Sequence, residues 1–495
     1  MNILFENRSK AQIFSFSWVV SFIFVLPVII SNVYYRDDLE RVLTGIPAWT
    51  KSGRPLSDWI MNIVTVNYYS ISDAAPLPLI FSTIAVALTV TYAVFKSSLD
   101  KNVLMASILL FIFINPFLLQ NISYKYDSLP MTIGTCLAVF AYFYSSENKV
   151  KNIIFPSILL SMSMASYQSC ANIFIGLQAL NIIYEIKKYQ SNKTLDTAYS
   201  ILKYIIGVVI YYVVVFLIIG TQTERSNIAP MGQVYDYIKS SIYAVINASS
   251  YILGYETIPV VYFLLASLVI RVIYEIYLSL NAEKKWNYVT DLILVMVSPF
   301  ILIFAVLGPT AVLSVGFSGY RTMQGSSALI ILMLLSSYWL VFSRIKKLAF
   351  LMFIPVLFSL STSSMLGNAI KLQRDYETRI LEMAFFDISS LNPNDDSIIM
   401  ISGTFKTAPM ALKIVNKQRF LGRLLSQSEP WESRRIMKSF GIKNMDLGWG
   451  GDNINEIKEI CTSGLNPIFD RYQYQIYRID RKIFIWLKDT NTLCS

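Results

Sequence analysis

Apolar and polar positions alternate along this chain in long blocks. Uncharged or nearly uncharged apolar runs cover residues 13–33, 75–95, 102–119, 128–144, 153–166, 169–184, 204–220, 257–274, 289–307, 325–342 and 348–366. Many are about 17–22 residues long, enough for a helix to cross a ~30 Å hydrocarbon core. The pattern predicts a polytopic α-helical membrane protein with about eleven transmembrane helices. The fifth and sixth runs are short and meet at Tyr167-Gln168. They read either as a tight hairpin or as one long tilted helix. The first run follows Arg8 and Lys10 and ends at Tyr34-Tyr35-Arg36-Asp37 without a small-residue cleavage site, so it reads as an uncleaved span.

After residue 366 the pattern changes. Residues 368–390 place Ile370, Ile380, Leu381 and Ala384 on one helical face. Residues 397–402 read as a strand that stops at Gly403. Tyr474–Ile479 and Lys482–Leu487 read as paired strands around a turn at Asp480-Arg481. The expected division is a transmembrane domain over 1–366, with an extramembrane loop at 34–74, and a small α/β domain over 367–495.

Charge orients this arrangement. With the N-terminus inside, the inner loops hold Arg8, Lys10, Lys96, Lys101, Lys149, Lys151, Lys187, Lys188, Lys193, Lys203, Lys284, Lys285, Arg344, Lys346 and Lys347. The acids there are fewer: Glu6, Asp100, Glu147, Glu185, Asp196 and Glu283. Most of the net charge of +10 is therefore a positive-inside signal, and no nucleic-acid partner is needed to explain it. An odd number of spans then puts the C-terminal domain on the periplasmic side of a bacterial inner membrane. There Cys461 and Cys494 could pair as a disulfide, the alternative being two unreactive thiols. The chain has no histidine, so acid–base chemistry falls to Asp, Glu, Lys or Tyr, and the commonest zinc ligand is absent.

The first outer loop is the most informative. Leu39, Val42, Leu43 and Ile46 make one apolar helical face, and Leu56, Trp59, Ile60 and Ile63 make another. Gly53-Arg54-Pro55 separates them, with Pro55 suited to a first helical turn. Two short amphipathic helices lying in the membrane interface are expected, with Trp49 and Trp59 as interfacial anchors. They bracket Asp37 and Asp38. An aspartate there can simply cap a helix; the functional alternative is a catalytic carboxylate. Asp127 recurs at similar depth in the next outer loop and could share a cleft with the pair. The short outer loops contain few basic residues: Lys125, Arg225, Lys239 and Arg321. Each reads as a snorkelling cation or as an anion-binding group, and Arg321, at the top of a span, is the preferred one.

Tyr35-Arg36-Asp37-Asp38-Leu39, Gly53-Arg54-Pro55-Leu56, Asn115-Pro116, Tyr124-x-x-Asp127-Ser128 and the Tyr167-Gln168 turn follow one another in an order that resembles the GtrII-type glucosyltransferases. These are serotype-converting proteins of enteric bacteria and their temperate phages. The resemblance implies a GT-C-like architecture and an enzyme that takes glucose from undecaprenyl-phosphate glucose and places it on a sugar of lipid-linked O-antigen, at the periplasmic face. It implies two functional partners, a bactoprenol glucosyltransferase and a flippase. It places the family's acidic motif at Asp37 and Asp38, with Asp37 the preferred base. Asp127 would assist the acceptor or a divalent cation, and Arg321, Lys125 and Arg225 would hold the donor phosphate. Arg36, Arg54, Tyr124, Tyr167 and Gln168 would position substrates. Readings left open are a transferase using another polyprenyl-phosphate sugar, a lipid-linked oligosaccharide flippase, and an O-antigen polymerase.

Overall fold

The computed structural model describes residues 4–187, 193–221, 229–254, 257–281, 288–312, 319–391, 397–448, 453–488 and 493–494. Arg225 lies outside these residues, as do Lys188, Glu283, Lys284 and Lys285. The chain divides into two compact units. One comprises Met1–Ile29 and Pro47–Ser364; the other comprises Ile30–Ile46 and Met365–Ser495. The second unit thus takes in a piece of the first outer loop, which the sequence pattern had assigned to the transmembrane part.

The first unit is helical. Five helices that start in it are long and apolar enough to cross a membrane: Lys10–Ser31, Leu77–Lys96, Lys193–Ile218, Ile258–Asn281 and Lys346–Ser390. Val103–Ile112 and Pro116–Ser123 make a sixth if taken as one span bent by 43°. The bend has a local cause. Asn115 accepts a bond from the Phe117 N–H and donates Nδ2 to Ser326 Oγ, and Pro116 cannot continue the helical ladder. Shorter apolar helices cover Ser128–Phe143, Val289–Ala305 and Ser326–Phe342. Lys149–Ser166 and Asn172–Tyr184 fill the two short runs. They are neither one helix nor directly joined, because Tyr167 is extended and residues 168–171 form a 3₁₀ turn.

Small residues let these helices approach. Ser163 and Ser166 donate across to the carbonyls of Gly134 and Pro130 at 2.7 and 2.6 Å, and Ser157 donates to the Lys203 carbonyl at 3.0 Å. A side chain at Gly207 would meet Leu160 and the Ser157 carbonyl. Helix 149–166 is therefore held on both sides by close backbone contact, the packing mode open to helices where lipid removes the hydrophobic drive.

The second unit is a four-stranded sheet with flanking helices. Its strands are β1 (Ile398–Gly403), β2 (Phe469–Asp470), β3 (Tyr474–Ile479) and β4 (Lys482–Leu487), in the order β1-β4-β3-β2. β3 and β4 form the expected hairpin, with Ile479 opposite Lys482 and Asp480 in the left-handed region. β1 runs parallel to β4. Helix Ile354–Ser390 runs without interruption from the last apolar stretch into this unit. Its Ile380, Leu381, Ala384 and Ile388 form a core with Ile399, Ile401, Ile436, Met437, Ile476 and Ile485. Leu39 joins that core and Val42 packs against it. Helix Asp38–Thr44 thus spends part of its apolar face on protein packing, while Leu43 and Ile46 remain exposed. Cys461 and Cys494 form a disulfide.

Candidate functional site

In the second unit, Asp37 and Asp38 sit where an extended segment turns into helix Asp38–Thr44. Arg36 takes a left-handed backbone, φ 50°, which costs a non-glycine residue about 1–2 kcal/mol. That turn lets the Asp38 and Leu39 N–H groups bond back to the Tyr35 and Arg36 carbonyls. It is pinned from outside the segment. The Tyr35 hydroxyl donates to the Leu424 carbonyl at 2.8 Å, Arg36 Nη2 donates to Ser426 Oγ at 3.0 Å, and Arg374 Nη2 donates to the Tyr34 carbonyl at 3.1 Å. Further along the helix, Arg435 forms an ion pair with Glu40.

The two aspartates have different surroundings. Asp38 is 0% exposed and lies 3.7 Å from Arg41 Nη1. Asp37 is half-buried and occupies the N-cap position, yet its side chain makes no capping bond and no other hydrogen bond among the described residues. The capping explanation for Asp37 is thereby set aside.

In the first unit, a second constellation gathers around Asp127. Its Oδ1 accepts a bond from Trp49 Nε1 at 2.6 Å. Trp49 is 2% exposed, so it is no interfacial anchor; Trp59, at 60%, is free for that role. Asp58 holds the turn that delivers Trp49, accepting bonds from the Trp49 and Thr50 N–H groups and from the Thr50 hydroxyl. Lys125 is buried two residues before Asp127. Arg321 is half-buried; its Nη1 donates to the Tyr124 hydroxyl at 2.8 Å, and its backbone N–H donates to Gln120 Oε1. Gly319, φ 105°, brings the chain so near Gln120 that a Cβ there would lie 2.9 Å from Oε1.

Arg54, Tyr167 and Gln168 also meet. The Arg54 guanidinium lies 4.3 Å from the Tyr167 ring centre, and its Nε donates to Gln168 Oε1 at 3.0 Å. Gln168 Nε2 donates to the Ser52 carbonyl and to the Tyr211 hydroxyl, which in turn donates to the Gly53 carbonyl. The break at Tyr167 therefore clamps the Gly53-Arg54 turn.

Asp37 and Asp38 belong to the second unit and Asp127 to the first. Sequence reasoning missed Asp58, Gln120 and Tyr211. Gln120 meets Arg321 from 201 positions away, Tyr211 hides inside an apolar run, and the bonds from Asp58 to Trp49 and Thr50 depend on a turn that no residue pattern announces. A divalent cation finds no gathered ligand set: among the described residues, no three Cys, Asp or Glu side chains cluster to hold one.

Comparison with known proteins points one way. The family described as glucosyl transferase GtrII matches residues 26–332. A Salmonella phage P22 protein, named only as an uncharacterized 55.3 kDa protein in the gtrB 5′ region, is 30% identical over 250 residues, 48% of this chain. The chain spans about half the length of that relative, 51%. No solved structure matches.

Proposed function

Because the chain belongs to the GtrII glucosyl transferase family, we propose that it moves glucose from undecaprenyl-phosphate glucose to a sugar hydroxyl of lipid-linked O-antigen, at the periplasmic face of the inner membrane. The site residues are assigned as follows. Asp37 takes the proton of the acceptor hydroxyl. The acceptor oxygen bonds to C1 of glucose from the face opposite the phosphate. The C1–O bond to phosphate breaks, its electron pair leaves with undecaprenyl phosphate, and the anomeric configuration inverts. Asp38 orients the turn. Arg321, with Lys125, stabilises charge on the departing phosphate, and Arg225 is assigned with them from its place in an outer loop. Asp127 positions the acceptor.

The observation that carries the base assignment is the contrast within the acidic pair. A general base needs a free lone pair and access to substrate. Asp37 is half-buried and its carboxylate makes no hydrogen bond among the described residues, which suits this role, whereas Asp38 is buried beside Arg41. Supporting the topology are the basic inner loops, the apolar helices, and a disulfide in the C-terminal unit, which suits an oxidising compartment. The GT-C-like arrangement of about eleven spans belongs to the same proposal, as do the synthase and flippase that would supply the donor.

The test is reconstitution. Vesicles holding the protein, undecaprenyl-phosphate glucose and lipid-linked O-antigen on one side should yield a glycan heavier by one hexose, read by mass spectrometry. Asp37→Asn should slow product formation by about 10²–10⁴ at unchanged protein level. Lipid movement without a new glycosidic bond would mark a flippase and end this reading. Product from another sugar donor alone would reassign the donor.

A further inference from the structure

A shallow hollow lies within the second unit, close in sequence to Asp37. It is about 300 Å³ counting the space open to solvent, and its lining includes Tyr35, Arg36, Gln373, Arg374, Glu377 and Glu432. Its frame is rigid. Glu377 accepts bonds from the Ser428 N–H and hydroxyl at 2.9 and 2.6 Å, and from Gln373 Nε2 at 2.8 Å. Gln373 in turn accepts the Ala408 N–H and donates to the Lys406 carbonyl. Arg374 Nη1 donates to Ser428 Oγ. Helix 354–390 is thus tied by three side chains, Gln373, Arg374 and Glu377, to two loops, 405–408 and 424–429.

Glu432 is the group this frame leaves over. It is 2% exposed. One carboxyl oxygen accepts the Glu429 N–H at 3.0 Å, as the far half of a capping box that opens helix Pro430–Ser439. Its other oxygen has no hydrogen-bond partner among the described residues, although the residue lines the hollow. Burial pushes the Glu432 carboxyl up to about 7, with the Arg374 and Arg36 charges acting in the opposite direction. Near neutral pH it can therefore accept or donate a hydrogen bond.

The charge balance selects the ligand. The lining carries two guanidinium groups, two carboxyl groups and one amide. A phosphate would meet Glu377 and Glu432 as well as the arginines, and like charge disfavours it there. A neutral polyol meets both donors and acceptors there without adding charge. The shallowness suits one edge of one ring.

We propose that this hollow is a carbohydrate subsite, in which Glu432, Arg36 and Arg374 recognise the hydroxyl groups of one acceptor sugar next to Asp37. The proposal rests on the glucosyl-transfer reading and names the part of the chain that selects its acceptor. Glu432 is a recognition residue here; it touches no reacting atom.

The test uses the full-length protein in detergent with methyl glycosides of glucose, galactose, mannose, rhamnose and N-acetylglucosamine, observed by saturation-transfer NMR. At least one glycoside should receive saturation, with affinity about tenfold weaker in Glu432→Gln, the loss of one hydrogen bond to a charged group. Gln keeps the capping box, so the variant should fold, and retained thermal unfolding of the protein checks this. In the transfer assay Glu432→Gln should raise the acceptor KM and leave the donor KM in place. No glycoside with Glu432-dependent signal overturns the proposal, and so does displacement of the glycoside by inorganic phosphate with a rise in donor KM. The binding arm requires no turnover. Glycoside binding by a protein that transfers no glucose would retain the subsite and reject the reaction.

Discussion

The indole of Trp49 donates to the carboxylate of Asp127 across 2.6 Å, joining two segments 78 positions apart within the first unit. Both side chains are buried, so this contact fixes where the Asp127 carboxylate points. Trp49→Phe keeps an aromatic ring and removes the donor. Loss of one buried bond to a charged group is worth about 1.5–3 kcal/mol, so transfer should fall roughly tenfold to a hundredfold. Glycan labelling in membranes of matched protein content checks it. Full activity in Trp49→Phe would show that the contact is packing only.

The adjacent aspartates should separate on mutation. Asp37→Asn should cost about 10²–10⁴ in turnover, the usual contribution of a general base, with little change in protein level. Asp38→Asn removes a buried partner of Arg41. It should lower the amount of folded protein first, and activity in proportion. Quantitative immunoblots beside initial rates distinguish the two patterns.

Arg321 reports on the phosphate. Arg321→Gln should weaken stabilisation of the leaving group by about 2.7–4 kcal/mol, a loss of about 10²–10³ in turnover. Tyr124→Phe, which removes the hydroxyl that accepts from Arg321 Nη1, should give a smaller loss of the same kind. Initial rates at varied donor concentration measure both. An unchanged rate in Arg321→Gln would send the phosphate elsewhere.

Glu432 gives the C-terminal unit a pH dependence of defined sign. Its carboxyl titrates near 7 when folded, against the usual 4.5. The folded state therefore holds a proton that the unfolded chain has released. This stabilisation is complete below pH 4.5 and disappears as pH rises through 7, amounting to about 3 kcal/mol at most. The unfolding midpoint should fall between pH 5 and pH 8 more steeply in wild type than in Glu432→Gln. Parallel slopes would assign the dependence to another group.

The Cys461–Cys494 bridge offers a test of sidedness. It closes a loop of 33 residues, and its loss should cost about 3–4 kcal/mol in a chain-entropy account. In intact cells both thiols should resist a maleimide reagent until a reductant is added, while Cys461→Ser should leave Cys494 open to labelling. Labelling of both thiols without reductant would place the tail in a reducing compartment.

Much of this architecture was readable from residue order alone. The β3–β4 hairpin was visible because two runs rich in Ile and aromatic residues flank a turn at Asp480-Arg481, and apolar runs marked where helices form. Parallel pairing of β1 with β4 was not, since it joins segments some 80 residues apart. Residues 348–366 and 368–390 looked like two elements because polarity changes between them. Backbone hydrogen bonding is indifferent to that change, and one helix runs through. Trp49 looked like an interfacial aromatic because its burial depends on Asp127, 78 positions away. The acidic pair could be located but not differentiated. What separates Asp37 from Asp38 is the packing of Leu39 and Val42 onto a core made by the far end of the chain.

That last arrangement has a consequence for biogenesis. Residues 30–46 leave the ribosome about 320 residues before the first of their packing partners at 365. At bacterial synthesis rates this is a wait of roughly 15–60 s. Throughout that interval the acidic turn has no scaffold, and premature termination before the tail would leave it so permanently. If Asp37 is the base proposed above, transfer would begin only with chains whose C-terminal unit has been made and folded.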